Sequence, residues 1–243
     1  MTENSKASSA VVSDFEKLYL SLREKEGRLY ADEMVRVLPH VARSHPLWKE
    51  WRVRAHSANR LLRHLEKKKP RLLVEVGCGN GWLTHLISSR LGVSCLGVDI
   101  NRTEIQQAQR VFGDSQNVSF IHGDPLAVSW NHRFDGVIFA SSIQYFGNLP
   151  EIIDHMLNWT QPGGEIHILD SPIYAPQEVS RSRERSKKYF SEMGSPDMAN
   201  YYHHHCWQAL QSFAFKIVPA PPSWLRSVIN TSPFPWVIIQ KQE

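Results

Sequence analysis

The chain is poor in cysteine, in net charge and in long apolar runs, and each shortage argues against one class of protein. Its 243 residues include three cysteines, and this small, odd number argues against a disulfide framework. No uninterrupted apolar run approaches the length of a membrane span. The formal charge of +4 is too small to indicate nucleic-acid binding by itself.

The composition predicts a soluble cytoplasmic protein with one α/β domain and a sizeable core. The first ten residues are small and polar, and they do not form the basic and then apolar pattern of a signal peptide. We expect no membrane partner, and the pattern leaves open whether the chain is a monomer or a homodimer.

One glycine-rich loop is the most informative segment. The apolar run 72–76 leads into Gly77, Gly79 and Gly81, and an apolar helical pattern begins at Trp82. This order predicts a buried strand, a tight loop that a ligand can approach closely, and a helix N-terminus with free N–H groups. A dinucleotide-binding loop needs its third glycine where this chain has Trp82.

Acidic residues lie at or near the ends of the predicted strands. Glu75 precedes the first glycine by two residues, and Asp99 closes the next apolar run, 93–99. An acid at the end of the second strand is placed to bind a ribose hydroxyl pair. A third run, 120–126, contains Asp124.

These three elements resemble the motifs of the class I S-adenosylmethionine (SAM)-dependent methyltransferases, and the resemblance covers roughly residues 70–170. It implies that SAM is the cofactor and S-adenosylhomocysteine (SAH) the product. Glu75 and the glycine loop then hold the methionine end, Asp99 the ribose and Asp124 the adenine. The expected cofactor-binding set is Glu75, Gly77, Cys78, Gly79, Asn80, Gly81, Asp99, Ile100, Asp124, Pro125 and Ser141.

Strands that alternate with helices predict a three-layer α/β/α, Rossmann-like fold with a mostly parallel sheet. Two apolar runs near the C-terminus, 214–219 and 234–240, suggest an antiparallel pair. The resemblance implies seven strands in the order 3-2-1-4-5-7-6. We expect residues 1–68 to form a disordered tail (1–12) and a helical lid. Residues 69–243 then form the SAM-binding domain, with a helical insertion at about 175–213 that includes a helix over 198–213.

Methyl transfer from a sulfonium is a direct displacement, so positioning supplies much of the catalysis, and a base is needed only when the acceptor must lose a proton. The candidate catalytic residues are His203, His204, His205 and Tyr174. Three consecutive helical residues diverge by about 100° each, so they cannot all face one site. The histidines also lack the H-x-x-x-H spacing of a helical metal site, and we predict no metal there. The alternatives are no dedicated base at all and histidines that only pack at the surface.

Gln144, Tyr145 and Tyr174 are the candidate substrate-binding residues, because they follow strands four and five at the expected ligand edge. Packing between loop and core explains these aromatic residues equally well. Arg54, on a predicted N-terminal helix, is a candidate partner for the cofactor carboxylate, or else part of a solvated helix face.

The sequence therefore predicts a SAM-dependent methyltransferase that transfers a methyl group to a small molecule. An RNA or protein methyltransferase is the closest alternative, and nucleic acid is the less expected partner because no RNA-binding module is recognisable. A non-catalytic module that binds SAM or a partner protein is the alternative from another class. The acceptor and its reacting atom (oxygen, nitrogen, carbon or sulfur) are left open.

Overall fold

A computed structural model describes residues 3–219, 222, 224 and 231–242, with side chains from residue 14 onward. Helices and strands alternate through its centre. The α-helices are α1 (Glu3–Lys25), α2 (Asp32–Val37), α3 (Trp48–Lys68), α4 (Trp82–Leu91), α5 (Arg102–Phe112), α6 (Leu149–Asn158) and α7 (Pro176–Glu192). The strands are β1 (Leu72–Val76), β2 (Ser94–Asp99), β3 (Val118–His122), β4 (Phe134–Ala140), β5 (Thr160–Leu169), β6 (Phe215–Val218) and β7 (Trp236–Gln240).

The sheet has the predicted order, β3-β2-β1-β4-β5-β7-β6. Strands β1 to β5 pair in parallel, and β7 pairs antiparallel with both β5 and β6. The central strand β1 is apolar at nearly every position because helices cover both of its faces. The parallel arrangement brings the carboxyl ends of five strands to one edge of the sheet.

Two apolar clusters fill the space between the sheet and its helices. One packs α6 against the inner strands. The other packs α3 and α4 against the opposite face, where Ala58, Leu61, Leu62 and Leu65 recur at helical spacing along α3. The three-layer α/β/α prediction is therefore confirmed.

The helix expected over 198–213 does not form. Two short 3-10 helices, Pro196–Asn200 and Trp207–Leu210, flank a non-helical segment that contains the three histidines. The backbone of that segment bonds to neighbouring chain instead of to its own turn: His203 N donates to Gln144 O, and Tyr174 N donates to His205 O. Buried backbone groups need partners, and here a neighbouring loop supplies them.

Smaller differences lie at element ends. α1 begins at Glu3, inside the tail expected to be disordered, because helical bonding extends one residue at a time once a turn exists. β5 begins at Thr160, and residues 162–164 lie where its pairing with β4 shifts register. Most of the loop between β6 and β7 lies outside the described residues.

Across the part of the chain that the structure describes, no helix combines the length and the apolar character needed to cross a membrane.

Gly81 tests how tightly the glycine loop packs. A Cβ there would lie 2.5 Å from Phe120 Cε1 and 2.9 Å from Ala108 Cβ, at a φ of +76°. We expect Gly81→Ala to lower the free energy of unfolding by about 3 kcal/mol or more, from backbone strain and overpacking together. Urea denaturation checks this.

Gly163→Ala is the matched control. Its φ is +75°, and a Cβ would meet nothing within 4 Å, so only backbone strain of about 1 kcal/mol is expected. Equal losses in the two variants would contradict the packing argument.

Candidate functional site

A cleft lies at the edge where the parallel strands end, beneath α1 and α3. Its two halves share Tyr19, Gly77 and Ser141. We call one half the aspartate end, which is lined by Asp99, Ile100, Asn101, Asp124, Pro125, Leu126 and Phe146. We call the other half the arginine end, which is lined by Arg23, Arg28, Arg54, Trp51, Glu75, Cys78, Gly79, Asn80, Glu104 and Asp170.

The floor of the cleft is the glycine loop between β1 and α4. Gly77, Gly79 and Gly81 all have positive φ, a conformation that other residues rarely adopt. Gly77 N and Cys78 N both donate to Val98 O, at 2.8 and 3.1 Å, which ties the loop to β2. A Cβ on Gly77 would lie 2.4 Å from Ser142 Cβ, so the loop leaves no room for a side chain.

Asp99 is fixed at the tip of β2 by backbone donors. Its Oδ2 accepts from Gly79 N and its Oδ1 from Asn101 N, both at 2.8 Å. Burial raises the pKa of this carboxyl group, while the backbone hydrogen bonds and the charge of His122 oppose the rise. The carboxylate therefore has a set orientation at the centre of the cleft.

Two further acids lie against the loop. Glu75 is buried, and its Oε2 accepts from Thr84 Oγ1 at 2.5 Å. Burial raises the pKa of Glu75 to about 8. Burial, and then the charge of Asp99, raises the pKa of Glu104 to about 7. A site that crowds three carboxyl groups together is suited to a cationic group of a ligand.

The aspartate end is built by the loop after β3. Asp124 Oδ1 accepts from Leu126 N at 2.9 Å, which fixes the turn that presents Pro125 to the cleft. Ser141, after β4, has a φ of +58° and donates from Oγ to Asp170 O at 3.2 Å. Of the eleven predicted cofactor residues, ten line the cleft. Gly81 instead forms the turn into α4.

Two of the predicted substrate-binding residues lie beside the cleft. Gln144 and Tyr145 line a side pocket that adjoins the arginine end, together with Arg185, Tyr189, Phe190 and Tyr202. The Tyr145 ring contacts Tyr19, with ring centroids 5.7 Å apart, and Gln144 Nε2 donates to Ser141 O at 2.7 Å. The loop after β4 therefore borders both the cleft and the side pocket.

The candidate catalytic residues lie elsewhere. None of His203, His204, His205 and Tyr174 lines the cleft or the side pocket. His204 Nε2 is 2.8 Å from Ser186 Oγ, and the His204 ring packs on Tyr174. His205 Nε2 lies 3.1 Å from Ile143 O. The assignment of a base to these residues assumed a helix that does not form, and the geometry gives it no support.

Asp170 places a carboxyl group at the cleft, where the candidate catalytic residues were expected to lie. It follows β5 with a φ of +51°, and its Oδ1 accepts from Ser57 Oγ at 2.7 Å. Asp170 lines both the arginine end and the side pocket. Burial raises the pKa of this carboxyl group. Asp170 was not among the predicted site residues.

The arginines of α1 and of the segment after it were also missed. Arg28 pairs with Glu50 through two contacts of 2.5 and 2.6 Å, and Arg54 Nε donates to Glu50 Oε1 at 3.0 Å. Arg23 Nη2 donates to Tyr145 Oη at 3.3 Å. The helical periodicity of α1 was visible in the sequence, but the face that meets the cleft depends on packing. Arg54 lies at the arginine end, as its selection required.

Comparison with known proteins matches the central part of the chain to a methyltransferase domain. A family model described as "Methyltransferase domain" matches residues 73–164, which run from β1 to the first residues of β5 and include the glycine loop and the loop after β3. This central part of the chain is therefore similar to a methyltransferase domain. The match ends before α7 and leaves out α1 to α3, so the parts that cover the cleft lie outside it.

Curated relatives resemble the methyltransferase domain over a similar stretch. Norajmaline N-methyltransferase of Rauvolfia serpentina is 30% identical over 124 residues, which is 49% of this chain and 41% of that protein. A malonyl-[acyl-carrier protein] O-methyltransferase of Halalkalibacterium halodurans is 26% identical over 127 residues, or 46% of this chain and 45% of that protein. The chain spans less than half the length of these relatives.

Solved structures share the fold at low sequence identity. YcgJ of Bacillus subtilis superposes with a TM-score of 0.59 at 14% identity, over 78% of this chain and 99% of that one. The plantazolicin methyltransferase BpumL in complex with SAH gives a TM-score of 0.55 at 14% identity, over 97% and 99% of the two chains. These likenesses confirm the fold of the methyltransferase domain.

The raised pKa of Glu75 predicts a pH dependence of stability in the ligand-free protein. The folded state holds this proton up to about pH 8, whereas the unfolded chain releases it near the ordinary value of a glutamate. The unfolded state then binds fewer protons, so stability falls as the pH rises through this range. We expect the decline to be clearest between pH 7 and 8, above the range in which histidines titrate.

Glu75→Gln removes the titrating group and keeps an acceptor for Thr84. Its free energy of unfolding, measured in urea at pH 7 and pH 8, is expected to fall less over this interval than that of the unmodified protein. The same decline in both proteins would show that Glu75 does not hold a raised pKa.

Proposed function

We propose that this protein transfers a methyl group from SAM to a small-molecule acceptor. The observation that carries the proposal is the arrangement around Asp99. The glycine loop fixes this carboxylate between an end with Asp124 and an end with three arginines. A nucleoside joined to an amino acid has a matching sequence of groups: a flat base, a hydroxyl pair, and a charged ammonium and carboxylate.

The residues fit SAM along the whole cleft. Asp99 has the position to accept from the ribose hydroxyls, and the aspartate end to hold the adenine. Gly77 and Gly79 lack the Cβ atoms that would fill the floor. The acids beside the loop suit the ammonium group, and Arg54 suits the carboxylate. SAM supplies an electrophilic methyl group on a sulfonium, and the neutral thioether SAH remains after transfer.

The parts of the chain that cover the cleft favour a small acceptor. α1 and α3 lie over it, and the side pocket that adjoins it is lined by aromatic rings with Arg185 and Asp170 among them. Residues 1–68 act in this proposal as a lid, and residues 69–243 as the SAM-binding domain. The curated relatives include one named for an alkaloid nitrogen and one for a malonyl oxygen, so the acceptor atom stays open. Cytoplasmic location and oligomeric state stay predictions of the sequence.

Calorimetric titration with SAM and with SAH tests the proposal. We expect one site per chain and micromolar affinity for both ligands, with protein first dialysed to remove any SAH carried through purification. Incubation with labelled SAM and a metabolite extract then detects transfer. Binding of neither ligand would contradict the proposal, and binding without transfer to any acceptor would favour a non-catalytic SAM-binding module.

Arg54 is expected to contribute to cofactor affinity. Its guanidinium lies 5.4 Å over the Trp51 ring and bonds to Glu50 through Nε. A hydrogen bond to a charged group contributes about 1.5–3 kcal/mol, so Arg54→Met should weaken SAM and SAH binding by roughly 10- to 100-fold. Calorimetry measures this change.

Arg52→Met is the matched control on the same helix. Arg52 stacks on Trp48 at 4.9 Å and does not line the cleft. We expect its SAM affinity to equal that of the unmodified protein. Equal affinity in the Arg54 variant would remove Arg54 from the site.

A further inference from the structure

A cluster of side chains that could ligate a metal lies under the C-terminal end of α3. Glu165 and His167 project from the same face of β5, and His64 meets them from α3. His64 Nε2 is 2.5 Å from Glu165 Oε2, and His167 Nε2 is 3.7 Å from the same oxygen. One ligand atom from each residue lies within 4.8 Å of the other two. Along β5, the first residue that lines the cleft is Leu169, two residues beyond His167.

His167 is the unusual member of the cluster. Its exposure is 0%, and neither ring nitrogen has a hydrogen-bond partner among the described residues. Burying an unpaired polar group costs free energy that a leucine of similar volume would avoid. The imidazole is therefore poorly explained by packing, and its Nε2 points toward a carboxylate oxygen that it does not bond.

The carboxylate of Glu165 presents its two oxygens to different partners. Oε1 is held by Lys68 Nζ at 2.9 Å and by Lys216 Nζ at 3.5 Å, while Oε2 faces the two histidines. Second partners of this kind fix the orientation of a metal ligand. The two lysines also oppose a bound cation, but their side chains are 44% and 55% exposed, so their charges are partly screened by water.

We propose that His64, Glu165 and His167 form a zinc site. Two imidazole nitrogens with one carboxylate oxygen are a donor set that suits Zn²⁺, whereas Mg²⁺ and Ca²⁺ require oxygen ligands. In a tetrahedral site with bonds of about 2.0–2.1 Å, ligand atoms lie roughly 3.4 Å apart. The distances of 2.5 and 3.7 Å reach that spacing with a small displacement of His64. The His64 side chain is 21% exposed, so water can supply a fourth ligand at this site.

Such a site would tie the lid to the sheet. α3 carries Trp51, Arg54 and Ser57 into the cleft near its N-terminal end and His64 near its C-terminal end. β5 carries the other two ligands and leads directly into Asp170. Zinc would therefore stabilise the helix that covers the cleft without contacting any group in it. This inference does not depend on the identity of the cleft ligand.

The test uses untagged, full-length protein treated with a chelator and titrated with Zn²⁺ against a chromophoric competitor. We expect one zinc per chain, a rise in the thermal midpoint, and the visible absorption of tetrahedral Co²⁺ when cobalt replaces zinc. His64→Gln and His167→Leu should each weaken zinc binding at least about a hundredfold, since the loss of outer-shell partners alone costs 10- to 100-fold.

Two comparisons separate a ligand role from a structural one. Without metal, His167→Leu should be as thermally stable as the unmodified protein or more so, because it removes an unpaired buried polar group. His204→Gln, in the run 203–205, should bind zinc as the unmodified protein does. The proposal is overturned if the unmodified protein binds no zinc at micromolar concentration, if His167→Leu binds it equally well, or if His204→Gln loses it.

Discussion

The fixed position of the Asp99 carboxylate is the constraint on which the rest of the site depends. One oxygen accepts from the glycine loop and the other from the first turn of α5, so a single side chain joins two consecutive βα units at the sheet edge. The loop can reach it only because Gly77 and Gly79 adopt positive φ and leave no side chain in the way. The acids around the loop are packed so closely that burial shifts their pKa values toward neutrality.

The local sequence pattern was sufficient to predict the central strands and the loops that follow them. β1 is apolar except at Glu75 and is followed by alternating glycines, and the side chain of Asn101 accepts from Glu104 N at the N-cap of α5. Such signals lie within a few residues of one another, and ten of the eleven candidate cofactor residues line one cleft. The strand order came from the family resemblance, because pairing between distant strands leaves no local mark.

The predictions that failed concern residues whose positions depend on contacts between distant segments of the chain. The segment with His203 and His205 reads as helical, but its backbone pairs with the loops after β4 and β5. Arg23 and Arg28 were not among the predicted site residues, and their position at the cleft follows from how α1 packs on Tyr145 and Tyr201 through Phe15. His167 sits in an apolar strand pattern, and only its three-dimensional neighbours distinguish it from a packing residue.

Glu50 gives two of the arginines that line the cleft a carboxylate partner. It accepts from both Arg28 and Arg54 in the ligand-free protein, so an amino-acid carboxylate entering the arginine end exchanges with an existing counter-ion instead of meeting a free cation. The affinity gained is then a difference between two ion pairs, smaller than the strength of either. Glu50 would thus compete with any carboxylate that enters, and it already supplies Arg28 and Arg54 with a counter-ion.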